Sequence, residues 1–137
     1  MKLLAGVKGT GKTKALVEEV NRVCEHSDGE VVFVEKGKGL TFDVNYRVRL
    51  VDTEEYGIAG GKALYGFICG ILSANYDITE IFIDGAYKLC NSKVDDLEEF
   101  LLRINAIMTK NNIDCTVTAS IDPQLLSPAV REFIAGE

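Results

Sequence analysis

Gly6-Val7-Lys8-Gly9-Thr10-Gly11-Lys12-Thr13 is a complete G-x-x-x-x-G-K-[ST] run, with nothing missing and nothing inserted. The short apolar run Leu3-Leu4-Ala5 stands before it as a strand would. Lys12 to Cys24 follows with helical spacing at Ala15, Leu16, Val20 and Val23. Strand, glycine-rich loop and helix in that order make a phosphate cradle. Glycines let the backbone fold close round a polyphosphate, so that successive N–H groups point inward. The helix beginning near Gly11 adds its positive end. In such a loop Lys12 reaches the β- and γ-phosphate oxygens, and the Thr13 hydroxyl helps to hold Mg²⁺. The expected nucleotide contacts are Lys8, Gly9, Thr10, Gly11, Lys12, Thr13 and Lys14.

Downstream, Ser27-Asp28-Gly29 reads as a helix stop. Val31-Val32-Phe33-Val34 is a β-branched and aromatic run of buried-strand length, ending in the charged, glycine-rich loop Glu35 to Gly39. Arg47 to Val51 alternates polar and apolar residues, as an edge or half-buried strand does. Asp52-Thr53-Glu54-Glu55 is expected to cap a short helical turn. Gly60-Gly61 opens a helix to about Asn75 that is apolar nearly all round. Burial within the chain is the expectation for it; otherwise one face meets a protein partner or a second copy in a homo-oligomer.

Ile78 to Ile83 then reads as a strand ending at Asp84, and Ser92-Lys93-Val94-Asp95 resembles a capping box for the next helix. That helix places Val94, Leu97, Phe100, Leu101, Ile104, Ile107 and Met108 on one stripe, with Asp96, Glu98, Glu99, Arg103 and Lys110 opposite. Thr116 to Ala119 is the last expected strand, and a closing helix is expected over Ala129 to Ile134. Strands alternating with helices predict an α/β fold with a mostly parallel sheet. Ligands of such folds gather at the carboxyl ends of the strands. Gly6 to Thr13, Glu35, Asp52, Asp84 and Ser120 all fall there.

The 137 residues suit a single domain spanning 1–137, able to bury a useful core. Net charge is −6 and no basic block exceeds two or three residues, which argues against general nucleic-acid binding. A local basic patch of Lys8, Lys12, Lys14, Lys36 and Lys38 would serve the nucleotide's own charge. Cys24, Cys69, Cys90 and Cys115 are widely spaced in apolar surroundings and read as small core residues. His26 is the single histidine, expected at a helix end facing solvent, so catalysis built on several histidines is excluded. Ala63 to Ala74 is too short to span a bilayer, and no leader is visible, so a cytoplasmic protein is expected.

A phosphate loop needs a carboxylate for the Mg²⁺ shell from the end of another buried strand, and Ile81-Phe82-Ile83-Asp84 has that form. Gly6 to Thr13 and Ile81 to Asp84 resemble the Walker A and Walker B motifs of the P-loop NTPase superfamily. The resemblance covers nearly the whole chain. It is nearest to the additional-strand branch, and it extends to short bacterial ATP-binding proteins. It implies a three-layer fold with a roughly five-stranded sheet, ATP or another nucleoside triphosphate as ligand, and Mg²⁺ held by Thr13 and Asp84. It implies a sensor residue at Thr118 or Ser120. Lys12 is the expected catalytic cation.

One departure stands out. Many hydrolytic members carry a glutamate after the Walker B aspartate, whereas Asp84 is followed here by Gly85-Ala86-Tyr87. Other members place the glutamate on a neighbouring strand, which makes Glu35 the candidate base and Asp52 a second one. Slow or partner-dependent hydrolysis is the leading expectation. A nucleotide-sensing module without turnover and a small-molecule kinase are the alternatives. No N-K-x-D sequence or arginine-rich lid supports a GTPase or a nucleotide kinase; the five arginines are Arg22, Arg47, Arg49, Arg103 and Arg131.

Overall fold

The computed structural model describes residues 1–41 and 43–134. Five strands form one sheet: β1 (Lys2–Ala5), β2 (Glu30–Glu35), β3 (Arg49–Asp52), β4 (Ile78–Ile83) and β5 (Asp114–Ala119). The helices are α1 (Lys12–His26), α2 (Gly61–Ala74), α3 (Ala86–Leu89), α4 (Val94–Lys110) and α5 (Pro128–Arg131). Two single 3₁₀ turns, Thr53–Tyr56 and Pro123–Leu125, complete the order. The strand order is β1-β5-β4-β2-β3, and each pairing is parallel.

A parallel sheet is covered on both faces, so its inner strands are apolar throughout. Val31 to Val34 and Ile81 to Ile83 obey this, and all seven residues are buried. Alternation along each strand then divides the core. Phe33 and Phe82 stack at a centroid distance of 6.4 Å on the side covered by Leu16, Val20 and Val23 of α1. Val32, Val34, Ile81 and Ile83 face the other layer, where α2 and α4 supply Leu64, Ile68, Leu97, Phe100, Leu101 and Ile104. The three-layer α/β expectation holds.

Several local expectations shift. Ala15 is exposed, and Cys24 completes the buried stripe of α1. β3 starts at Arg49, two residues later than the alternation implied. Ser92 does not cap α4: it adopts φ 53°, and Lys93 is the cap residue without a side-chain hydrogen bond. The closing helix shrinks to the single turn Pro128–Arg131, capped by the Ser127 hydroxyl. The four residues of α3 were too few to show a period.

α2 departs most. Only Gly61, Leu64 and Ile68 are buried, while Ala63, Gly66, Gly70 and Ala74 face solvent. Uniform apolarity therefore did not mean uniform burial. The N-terminus of α2 is fixed from α4, where the Asp96 carboxylate accepts from Gly61 N at 2.9 Å. At the open edge of β1, Leu3 N donates to Phe133 O at 2.7 Å and Leu3 bridges Ile134, so the chain covers its own sheet edge.

Candidate functional site

The phosphate-type loop joins β1 to α1 at the carboxyl edge of the sheet. Gly9 and Gly11 hold φ of 90° and 82°, values that glycine adopts without steric cost. Gly11 caps α1 with no side-chain hydrogen bond, which leaves the first amides of the helix directed at the loop. Gly6 N donates to Ala119 O, tying the loop to β5. Lys12 Nζ donates to Val7 O at 2.9 Å and to Thr10 Oγ1 at 3.2 Å, so the ammonium lies across its own loop. Lys8, Thr10 and Lys14 are exposed.

The second wall comes from β4 and β5. Thr13 Oγ1 donates to the Asp84 carboxylate at 3.1 Å, across 71 residues of sequence. Thr118 Oγ1 donates to Asp84 Oδ1 at 2.6 Å and accepts from Gly85 N at 2.8 Å. The Thr118 hydroxyl thus orients the carboxylate, using both of its hydrogen-bonding roles. The other sensor candidate, Ser120, is exposed just beyond β5. Sequence named Thr118 through the resemblance, but its bond to Asp84 depends on β4–β5 register, which no local pattern carries.

Glu35 closes β2 beside this wall. Val34 pairs with Ile83, and Asp84 N donates to Val34 O at 2.9 Å, so Glu35 and Asp84 leave neighbouring strands side by side. Glu35 is only 6% exposed. Its Oε1 accepts a long 3.5 Å bond from Leu40 N. Burial pushes its pKa above the usual glutamate value; the Leu40 amide opposes this, and the charges of Asp84 and Asp52 add to it.

Asp52 pairs with Glu35 in the β2–β3 register. Its Oδ1 accepts from Gly37 N at 2.6 Å and from Glu54 N at 2.9 Å, so it holds the loop after β2 and caps the Thr53–Tyr56 turn. The structure gives it a scaffolding use. Arg49 points elsewhere: its guanidinium lies 3.8 Å from Glu30, which opens β2 at the amino edge, away from the phosphate-type loop.

The cysteines are free thiols, three of them buried and Cys69 half-buried. Burial pushes Cys90 and Cys115 up to about 12, which leaves them as unreactive core residues. His26 is exposed at the last position of α1, as expected. Among the described residues no three His, Cys, Asp or Glu side chains converge as a metal cage. A hydroxyl and one carboxylate, Thr13 and Asp84, do fit Mg²⁺, which commonly takes one or two protein oxygens and completes its shell from phosphate and water. Among the described residues no helix is long and apolar enough to cross a membrane.

This α/β architecture, with a glycine-rich loop after β1, is a P-loop NTPase-like fold. Among solved structures it is similar to a KaiC-like protein from the hyperthermophilic archaeon Pyrococcus horikoshii, with a TM-score of 0.65 and 20% sequence identity. That likeness covers 96% of this chain and 65% of the archaeal one, so the chain spans about two thirds of its neighbour's length. No family model and no curated protein matches the sequence.

Proposed function

We propose that this chain binds Mg²⁺ and ATP, or a related nucleoside triphosphate, and hydrolyses it slowly or only with a partner. The observation that carries the reading is the Thr13–Asp84–Thr118 chain of hydrogen bonds, which brings the end of the phosphate-type loop onto a carboxylate from a separate strand. Amides from Gly9 to Thr13 surround the β-phosphate, with Lys8 and Lys14 flanking it, and Lys12 offsets charge that grows during transfer. Thr13 and Asp84 hold the Mg²⁺ shell, which supplies electrostatic stabilisation of the phosphates when bound.

Glu35 is the candidate base. A carboxyl with a raised pKa at the sheet edge suits proton uptake from a nucleophile. It lies on the strand next to that of Asp84, the neighbouring-strand position that the resemblance allows for such a base. Gly85 after Asp84 favours a second reading, in which the chain senses nucleotide without turnover.

Calorimetric titration of Mg·ATP into wild type and Lys12→Ala tests binding. Saturable binding weakened on the order of 100-fold in the variant is expected, as for removal of one partner of a charged contact. Equal binding by both proteins would remove the phosphate loop from the reading. Phosphate release that is measurable in wild type and lost in Glu35→Gln, with binding retained, would distinguish the slow enzyme from the sensor.

A further inference from the structure

Lys12 is half-buried, and its ammonium is placed by the loop itself rather than by an acid. The ion pairs among the described residues are Arg22–Glu19 and Arg49–Glu30, and neither involves Lys12. Asp84, the carboxylate facing this loop, accepts from Thr13 and Thr118 instead. The partners of Lys12 Nζ are two neutral oxygens, Val7 O at 2.9 Å and Thr10 Oγ1 at 3.2 Å.

Thr10 closes a triangle. Its hydroxyl donates to Val7 O at 3.0 Å, which leaves the lone pairs of the same oxygen for the ammonium. The backbone beneath fixes that oxygen. Gly6 N is tied to Ala119 O at the end of β5, and a Cβ added at Gly6 would stand 3.1 Å from Thr10 Oγ1. The first glycine of the motif thus makes room for this hydroxyl. One line of contacts runs from β5 through Gly6 and Thr10 to the Lys12 ammonium.

Such a contact competes with a ligand. A phosphate that takes the ammonium has to take it from Val7 O and Thr10 Oγ1. When only part of the population holds a binding group free, apparent affinity falls by that fraction. Neutral oxygens hold an ammonium less strongly than a charged acceptor does, so a polyphosphate can win the exchange.

We infer that Thr10 is a positioning residue for Lys12, whose hydroxyl holds the ammonium on the loop and so raises the nucleotide concentration needed for binding. The inference rests on the nucleotide reading above and adds a self-competing latch to it. A purely structural role carries the opposite sign. If the Thr10–Val7 bond served only to shape the loop, its loss would loosen the phosphate cradle and weaken binding.

The test is calorimetric titration of Mg·ATP into wild type, Thr10→Val, Thr10→Ser, Lys12→Ala and the double variant of Thr10→Val with Lys12→Ala. Thr10 is exposed, so these changes at it leave the core alone. Valine keeps the branched shape without the hydroxyl and should bind about three- to tenfold more tightly, the scale of one net hydrogen bond. Serine restores the hydroxyl and should match wild type. On the Lys12→Ala background Thr10→Val should give no gain, since the ammonium it releases is gone. Equal or weaker binding by Thr10→Val, a gain that persists without Lys12, or a serine variant that gains as valine does would each overturn the latch alone. Failure of Mg·ATP to bind both wild type and Thr10→Val would overturn the nucleotide reading, and the latch with it.

Discussion

Asp84 and Glu35 leave neighbouring strands at one edge of the sheet, yet their surroundings differ in kind. Asp84 is half-buried and receives hydrogen bonds from Thr13 and Thr118, the latter itself held by Gly85 N. Glu35 is buried and, among the described residues, receives one long bond, from Leu40 N. Donors fix the position of the first carboxylate. Burial makes charge on the second unfavourable where it stands. The difference separates a group held in place by donors from a group held at a cost to stability. Such costs persist in folds mainly where function uses them.

Removing each group in turn sharpens or breaks this contrast. Asp84→Ala should have the largest effect, weakening Mg²⁺-dependent ATP binding by about 10- to 100-fold. Titrations with and without Mg²⁺ check it; an unchanged metal dependence would take Asp84 out of the shell. Thr118→Val keeps the shape but strands Gly85 N and leaves Asp84 Oδ1 with the longer Thr13 bond alone. A loss of about 1–3 kcal/mol is expected by denaturant melt, with weaker Mg·ATP binding. A variant as stable as wild type would show that Asp84 does not depend on this hydroxyl.

Glu35→Gln should move stability the other way. A carboxyl with a raised folded pKa imposes no penalty below the ordinary glutamate value, and the penalty grows as pH rises through the raised one. The variant should therefore melt above wild type at pH 7.5, with the gain gone near pH 4. A lower melting point at neutral pH would erase the contrast with Asp84. Asp52→Asn is the smallest change, because its Oδ1 keeps both backbone donors. Its melting point should stay within about 2 °C of wild type.

Much of this edge was legible in sequence because its signals are local. The loop motif, the apolar runs of β2 and β4, and the acidic residues that follow them are contiguous patterns. Glu35, Asp52, Asp84 and Ser120 were all expected at the carboxyl edge, and the strand ends place them there. What escaped depends on partners far along the chain. The Thr118–Asp84 bond needs β5 to lie against β4. The partial exposure of α2 follows from contact with α4 along one side only, which its all-round apolarity concealed. Asp52, read as a second candidate base, takes two backbone amides on one oxygen, partners that no local pattern announced. At Ser92 a local signal misled, because the turn from α3 into α4 needs two consecutive left-handed residues, Asn91 and Ser92.

The placement of β1 has a consequence for the order in which the protein forms. β1 carries the phosphate-type loop and is paired in the sheet with β5, while its outer edge is met by Phe133 and Ile134. β1 thus acquires these neighbours only after more than a hundred further residues have emerged. Until then Gly6 to Thr13 has no rigid stalk, and its stretch of chain must close the longest loops in the molecule. The phosphate-type loop should consequently be among the last features of the sheet to become rigid in a nascent chain, although its residues are made long before the strand that holds them.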